Sequence, residues 1–366
     1  GAGFDSDTCS SHGGNLSDDE DEDEDAEATL RKSAEVSKNF VVKHLNASVR
    51  QDRSRYHAAA ADLAFEAKLL STLSHPNIIR LRGVTRGSEV SSLYAGSKQR
   101  GGADEGLGSG YFIVLDKLGS TLQERIKEWR DEKGAIKQQR RKSRGASMVL
   151  RRLSSSLDSS HHSHEGTRSS GGGSGAKEAK REFLLRRLDV ARRIASAMSY
   201  LHSRRILYRD LKPENVGFDA ASGDVKIFDF GLARFLPKEK NEDEGDDDNG
   251  KGGCGERRLT GMAGTPRYMA PEVAKFKEYG LPADVHSYGL VLWEILALKQ
   301  PFDKITMKEL QAKVVYGTKR PKVDAAKCPK TIRDLMEWCW AIEPKDRPEF
   351  KHILEVLDEE LDVFLR

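Results

Sequence analysis

In the stretch ILYRDLKPENVGF, Ile206 to Phe218, the residues Arg209, Asp210, Lys212, Glu214 and Asn215 fall within seven positions between apolar flanks. A carboxylate, an ammonium two residues on and a carboxamide five residues on suit phosphoryl transfer. That reaction needs little covalent help: it asks for metal-held phosphates, a positioned hydroxyl and neutralised charge. Asp210 can accept a hydroxyl proton, Lys212 can offset the charge of a moving phosphate, and Asn215 can ligate Mg2+ through its amide oxygen. Nineteen residues after Asp210 comes Asp229 in IFDFG, a second hard oxygen ligand at a turn that Gly231 is expected to bend.

These residues need a scaffold, and 366 residues with 37% hydrophobic content can build one. The 61 basic and 58 acidic side chains are segregated into blocks, so charge describes segments rather than the whole chain. NFVVKHL reads as a strand, and AADLAFEAKLLSTL sets Leu63, Ala67, Leu70 and Leu73 on one helical face. NIIRLRGV and YFIVLDKL read as further strands. From STLQERIKEWR, with Ser120 or Thr121 as cap and Glu124 following, the pattern turns helical. It continues in REFLLRRLDVARRIASAMSYLHS and SYGLVLWEILAL, the latter apolar enough for a buried helix. Gly/Ser-rich or charged tracts at 95–110, 131–180 and 237–258 read as solvated insertions, and residues 5–37, with the acidic run Asp18 to Asp25, as disordered.

Cys9, Cys254, Cys328 and Cys339 form no CxxC pair, which points away from a disulfide framework or zinc site and toward an intracellular, cytoplasmic setting. Cys339, between Trp338 and Trp340, reads as buried packing. The longest apolar run, Gly289 to Leu298, is too short to span a bilayer.

In order and spacing, these segments resemble the eukaryotic protein kinase family over residues 38 to 366, insertions apart. YRDLKPEN is similar to its catalytic loop, DFG to its metal-binding turn, and GTPRYMAPE (Gly264 to Glu272) to the end of its activation segment. The resemblance implies an α+β, two-lobed fold: a small, mostly antiparallel β N-lobe with one major helix at 38–115, and a larger, mainly helical C-lobe at 116–366. It implies ATP and Mg2+ as cofactors, protein substrates and an upstream kinase as partners, and no nucleic acid or membrane span. Oligomeric state is left open.

The resemblance also assigns roles residue by residue. Lys43 is similar to the lysine that holds the α- and β-phosphates, and Glu66 to its helix partner, with HPN nine residues on. Leu115 is similar to the gatekeeper, with Asp116 to Leu118 lending backbone hydrogen bonds to adenine and Val41 roofing it. Tyr208 and Phe230 resemble members of the hydrophobic stack between lobes, Asp284 the buried support of the catalytic loop, and Glu272 with Arg347 the bracing ion pair. Arg209 can brace the loop or receive a phosphate, Thr260 is the candidate phosphosite, and Thr265 resembles the threonine that braces the substrate-side loop. Lys212 in KPEN suits serine or threonine acceptors, while ADVHSYGLVLWEI and WCWAIEPKDRPEF resemble the tyrosine-kinase-like branch.

The glycine-rich hairpin of the family is matched only by GAGF, with Gly1 and Gly3, ahead of the acidic segment. Either the chain begins inside that loop or the loop is lost. The alternative function is accordingly a pseudokinase or scaffold with impaired ATP binding. Ser17 beside the acidic run, and Ser143 and Ser154 in RRKS and RRLS, read as acceptors for other kinases within solvated spacers.

Overall fold

The β-branched run FVVKH forms β1 (Phe40–His44), LRGV forms β2 (Leu81–Val84) and FIVLD forms β3 (Phe112–Asp116). The computed structural model describes residues 39–45, 53–84, 112–138, 174–237, 259–325 and 328–365. The three strands make an antiparallel sheet in the order β1-β3-β2, with Lys43 opposite Ile113 and Val41 opposite Leu115. Ile113 and Leu115, two apart and therefore on one face, are both buried.

Against this sheet packs α1 (Arg53–Ser71), which buries Leu63, Ala67, Leu69 and Leu70 together with Glu66. Leu73, expected on the same helical face, lies beyond the end of the helix and is half-buried. The chain then returns through Asn77 to Ile79, where the Ile79 N–H donates to the Ile227 carbonyl and the Ile227 N–H to the Asn77 carbonyl, each at 2.9 Å, across the isolated pairing of Ile78 with Ile227. That bridge fixes the level of Asp229, two residues after Ile227.

YFIVLDKL is not one strand. It breaks at Lys117 into β3 and β4 (Leu118–Thr121), which joins a second sheet with β6 (Val216–Asp219) and β7 (Val225–Ile227) in the order β4-β6-β7. Thr121 and Glu124 form a reciprocal cap: Glu124 Oε2 accepts from the Thr121 amide at 2.8 Å and Thr121 Oγ1 from the Glu124 amide at 3.2 Å. The helix this cap opens, α2, runs over 122–138, and α3 begins at Ser174 (Ser174–Ser203). Residues 131–138 and 174–180, expected inside a flexible insertion, are thus helical. Their first and last turns extend helices already nucleated by buried residues such as Ile126, Trp129 and Leu188.

The larger part of the molecule is helical. β5 (Ile206–Leu207) pairs with β8 (Arg234–Phe235), and beyond them come α4 (Pro271–Ala274), α5 (Pro282–Ala297), α6 (Met307–Leu310), α7 (Lys330–Cys339) and α8 (Phe350–Leu365). α5 is buried along most of its length, as its all-round apolarity requires. Cys339 is fully buried against it: a Cβ built on Gly289 would stand 2.8 Å from the Cys339 Cβ, so α5 and α7 approach at a distance only glycine permits. Arg347 donates to Glu272 at 2.6 and 2.9 Å, both residues being buried, and ties α4 to the segment before α8. The architecture is a two-lobed α+β fold, with small antiparallel sheets above a mainly helical lobe.

Candidate active site

Asp210 stands at the centre of a network drawn from its own loop and from the segment at Thr265. The Lys212 ammonium reaches its Oδ2 at 2.7 Å, and the Asn215 amide nitrogen reaches the same oxygen at 2.9 Å and the Asp210 carbonyl at 3.0 Å. Thr265 donates to Asp210 Oδ1 through both its backbone amide, at 2.8 Å, and its hydroxyl, at 2.7 Å. Lys212 also reaches Thr265 Oγ1 at 2.8 Å. Asn215 thus spends its nitrogen on Asp210, and its amide oxygen is the end turned away from that carboxylate.

The loop carrying these groups holds a conformation that L-residues avoid, with Arg209 at φ 76°. Asp284, 1% exposed on α5, overdetermines it by accepting the Tyr208 amide on Oδ2 and the Arg209 amide on Oδ1, each at 2.8 Å. His202 Nε2 lies 3.0 Å from the same Oδ2. Opposite, Gly264 at φ 100° passes so close that a Cβ there would meet the Arg209 carbonyl at 2.3 Å. Only glycine lets Thr265 reach Asp210.

The turn at Asp229 differs from expectation. The left-handed residue is Asp229 itself, at φ 63°, and Gly231 lies outside that region; a Cβ on Gly231 would make only ordinary contact with Asp229 Oδ1 at 3.8 Å. The strain is held by partners: Lys43 Nζ meets Asp229 Oδ1 at 2.9 Å, and the Phe230 amide meets Glu66 Oε1 at 3.3 Å. Lys43 also binds Glu66 at 3.0 and 2.7 Å. Burial works to lower the Lys43 pKa, but Glu66 and then Asp229 outweigh it, and the ammonium is raised above its ordinary value. Tyr208 and Phe230, both fully buried, stack edge to face at 5.2 Å behind this turn.

Lys43, Glu66 and Asp229 open onto a cleft of about 600 Å³, of a size that takes a small ligand. Val41, Leu115, Asp116 and Leu118 line it as well. Two linker amides are turned to other work: the Asp116 N–H donates to the Arg80 carbonyl and the Lys117 N–H to the Asn39 carbonyl. The Asp116 carboxylate, for its part, is paired with Arg82 at 2.5 Å. Sequence reasoning missed Ile79, Phe228, Ser120 and Glu124 on the cleft wall. Strand alternation could have found Phe228, next to Ile227; nothing local marks the others.

Arg209 Nε is buried without a partner, and the guanidinium stands 5.8 Å from the Tyr279 ring centre. The Tyr279 amide donates to the Leu259 carbonyl, which brings the neighbouring, exposed Thr260 to this side of the molecule. Glu214, in the charged stretch but with no role assigned, accepts from Gln123 at 2.5 Å. Gly1 and Gly3, with the acidic run, lie outside the described residues.

Among the described residues no group of three or more His, Cys, Asp or Glu forms a metal cage, and no helix is long and apolar enough to cross a membrane. A pair such as Asn215 and Asp229 matches instead a hard divalent cation that keeps water and phosphate ligands.

The family described as protein tyrosine and serine/threonine kinase matches residues 26–357. Serine/threonine-protein kinase STY17 of Arabidopsis thaliana is 37% identical over 172 residues, 47% of this chain and 27% of that protein. Dual specificity protein kinase shkC of Dictyostelium discoideum is 37% identical over 178 residues, 48% of this chain and 32% of that one. Serine/threonine-protein kinase CTR1 of Arabidopsis thaliana is 34% identical over 186 residues, 50% of this chain and 20% of that one. The matched stretch spans under a third of each of these relatives.

Proposed function

The chain belongs to the protein tyrosine and serine/threonine kinase family, in its tyrosine-kinase-like branch, and from that premise we propose that it transfers the γ-phosphoryl group of ATP to serine or threonine hydroxyls of protein substrates. The observation that carries this reading is the closure of Lys43 onto both Glu66 and Asp229 in the cleft, while the Phe228 amide, next to Asp229, donates at 3.1 Å to the carbonyl of Asn215 in the Asp210 network.

Each role follows from position. Lys43, kept charged and oriented by Glu66, holds the nucleotide phosphates in the cleft. Asp229 and Asn215 present the oxygens that would hold Mg2+, which when bound neutralises charge on the phosphates. Asp210 orients the acceptor hydroxyl and takes its proton, while Lys212 offsets charge on the group in transit. Thr265 steers both, because it binds Asp210 and Lys212 at once. Val41, Leu115, Asp116 and Leu118 enclose the adenine. Arg209 receives a phosphate placed on Thr260 by an upstream kinase. Asp284, Glu272, Arg347, Tyr208 and Phe230 hold this frame rigid. Serine or threonine as the acceptor is supported by Lys212 and by the names of two relatives, both serine/threonine-protein kinases.

The test is phosphorylation of a degenerate peptide library by the purified chain beside Asp229→Asn, with phosphoamino-acid analysis. Label on serine and threonine from the wild type alone is expected. Equal background from both proteins removes the enzyme reading, and label on tyrosine removes the acceptor assignment.

A further inference from the structure

One surface is built for a partner that the proposed reaction does not use. Two stretches, residues 275–279 after α4 and 303–319 around α6, carry Lys275, Lys277, Lys304, Lys308, Lys313 and Lys319 against only Glu278, Asp303 and Glu309. Lys313 and the Thr306 cap already engage Glu309, holding its carboxyl down at about 2. Lys275 Nζ stands 5.4 Å from the Tyr316 ring centre and joins the two stretches into one face. On that face Phe276, Met307 and Tyr316 are exposed at 63, 58 and 65%. Large apolar side chains gathered in a basic field mark an interaction surface for something acidic.

The chain itself supplies such a segment. Glu242 to Asp248 holds six carboxylates in seven residues, within 238–258, which lie outside the described residues. The stretch departs at Pro237, whose carbonyl accepts from Arg205 at 2.9 Å, and rejoins at Leu259, whose carbonyl accepts the Tyr279 amide at 3.2 Å. Tyr279 is two residues from Lys277. Asp248 is eleven residues from Leu259, a reach of up to about 36 Å. We propose that the lysine-rich face between α4 and α6 is the docking surface of the chain's own acidic run, Glu242 to Asp248. A single exposed ion pair is worth little, but six carboxylates on a short tether meet these lysines at an effective concentration in the millimolar range. Docking restrains the end of the insertion immediately before Thr260.

Zero-length carbodiimide coupling of the full chain, with light and isotope-labelled copies mixed, tests this. Peptides containing 242–248 should be joined to Lys275, Lys277, Lys308 or Lys319 of the same copy. The yield should fall about tenfold from 0.01 to 1 M salt, as the screening length shrinks from about 30 to about 3 Å. Lys277→Glu with Lys308→Glu should abolish the joints and raise deuterium uptake over 275–279 and 307–319. Joints confined to Lys238, Lys240 or Lys251 inside the insertion, joints only between copies, or no salt effect would each overturn the proposal. So would an added Asp/Glu-rich peptide protecting the wild-type face as well as it protects a chain with the run neutralised to Asn and Gln.

Discussion

The Thr265 hydroxyl donates to Asp210 Oδ1 at 2.7 Å while accepting from Lys212 at 2.8 Å, so one side chain orients both the proposed base and the proposed charge-offsetting group. Asp210→Asn should lower kcat by about 10²–10⁴-fold, the usual contribution of a positioned base. Thr265→Val, which keeps the shape and the backbone bond but loses the hydroxyl, should lower kcat by about tenfold or more with the KM for ATP little changed. Thr265→Ser should restore it. Steady-state kinetics on one peptide substrate decide; an unaltered kcat in Thr265→Val would remove the positioning role.

Lys43 and Glu66 act on the nucleotide side. Lys43→Met should reduce kcat/KM for ATP by at least about 10²-fold, because the cation that receives the phosphates is lost. Glu66→Gln retains one hydrogen bond to Lys43 and should fall between that variant and the wild type. Initial rates over a range of ATP concentrations, with circular dichroism to show that both variants fold, separate a binding defect from a folding one.

Arg209 Nε is buried without a partner, a costly arrangement that an incoming phosphate would relieve. Thr260→Ala should therefore lower the turnover of chain purified in its phosphorylated form, and Arg209→Lys should remove most of the difference between phosphorylated and dephosphorylated protein. Turnover that is indifferent to Thr260→Ala sinks this regulatory reading.

Between Arg347 and Glu272 the issue is stability rather than turnover. Arg347→Leu leaves the Glu272 carboxylate buried without its cation, which should cost about 3–5 kcal/mol in urea unfolding. Adding Glu272→Leu should recover a large part of that loss, since the second change removes the uncompensated charge. If the double variant is no better than the single one, the pair is held by shape rather than charge.

The order and spacing of Lys43, Glu66, Asp210, Asn215 and Asp229 made the site legible, because such chemistry fixes which residue types may stand at which intervals. Cleft walls were less so: Ile79 and Ser120 reach the cavity only because the chain crosses between sheets there, a long-range relation that local pattern does not carry. The Asp229 turn is not legible locally: Gly231 is the residue type that suits a bend, whereas the strained residue is Asp229, sustained by Lys43 and by the Glu66 bond to Phe230. Helix ends at 131–138 and 174–180 escaped for another reason. Their composition is that of a solvated tract, and their order comes from the buried turns they continue.

Glu294 offers a test in pH. It is 4% exposed on α5, where its Oε2 accepts the Tyr268 hydroxyl at 2.7 Å. Burial raises its pKa to about 7 against an ordinary 4.5; the Tyr268 bond opposes the shift and the Glu214 charge adds to it. The folded state therefore keeps a proton that the unfolded chain releases between about pH 4.5 and about pH 7. Across that window stability must fall as pH rises, because the unfolded state binds fewer protons. The full loss, roughly 3 kcal/mol, is reached only above the folded pKa. Glu294→Gln keeps an acceptor for Tyr268 and removes the titration. Unfolding free energies in urea at pH 5 and pH 8 should differ less for Glu294→Gln than for the wild type, with the variant gaining at pH 8. Equal pH slopes in the two proteins would show that Glu294 ionises in the folded state as readily as in the unfolded chain.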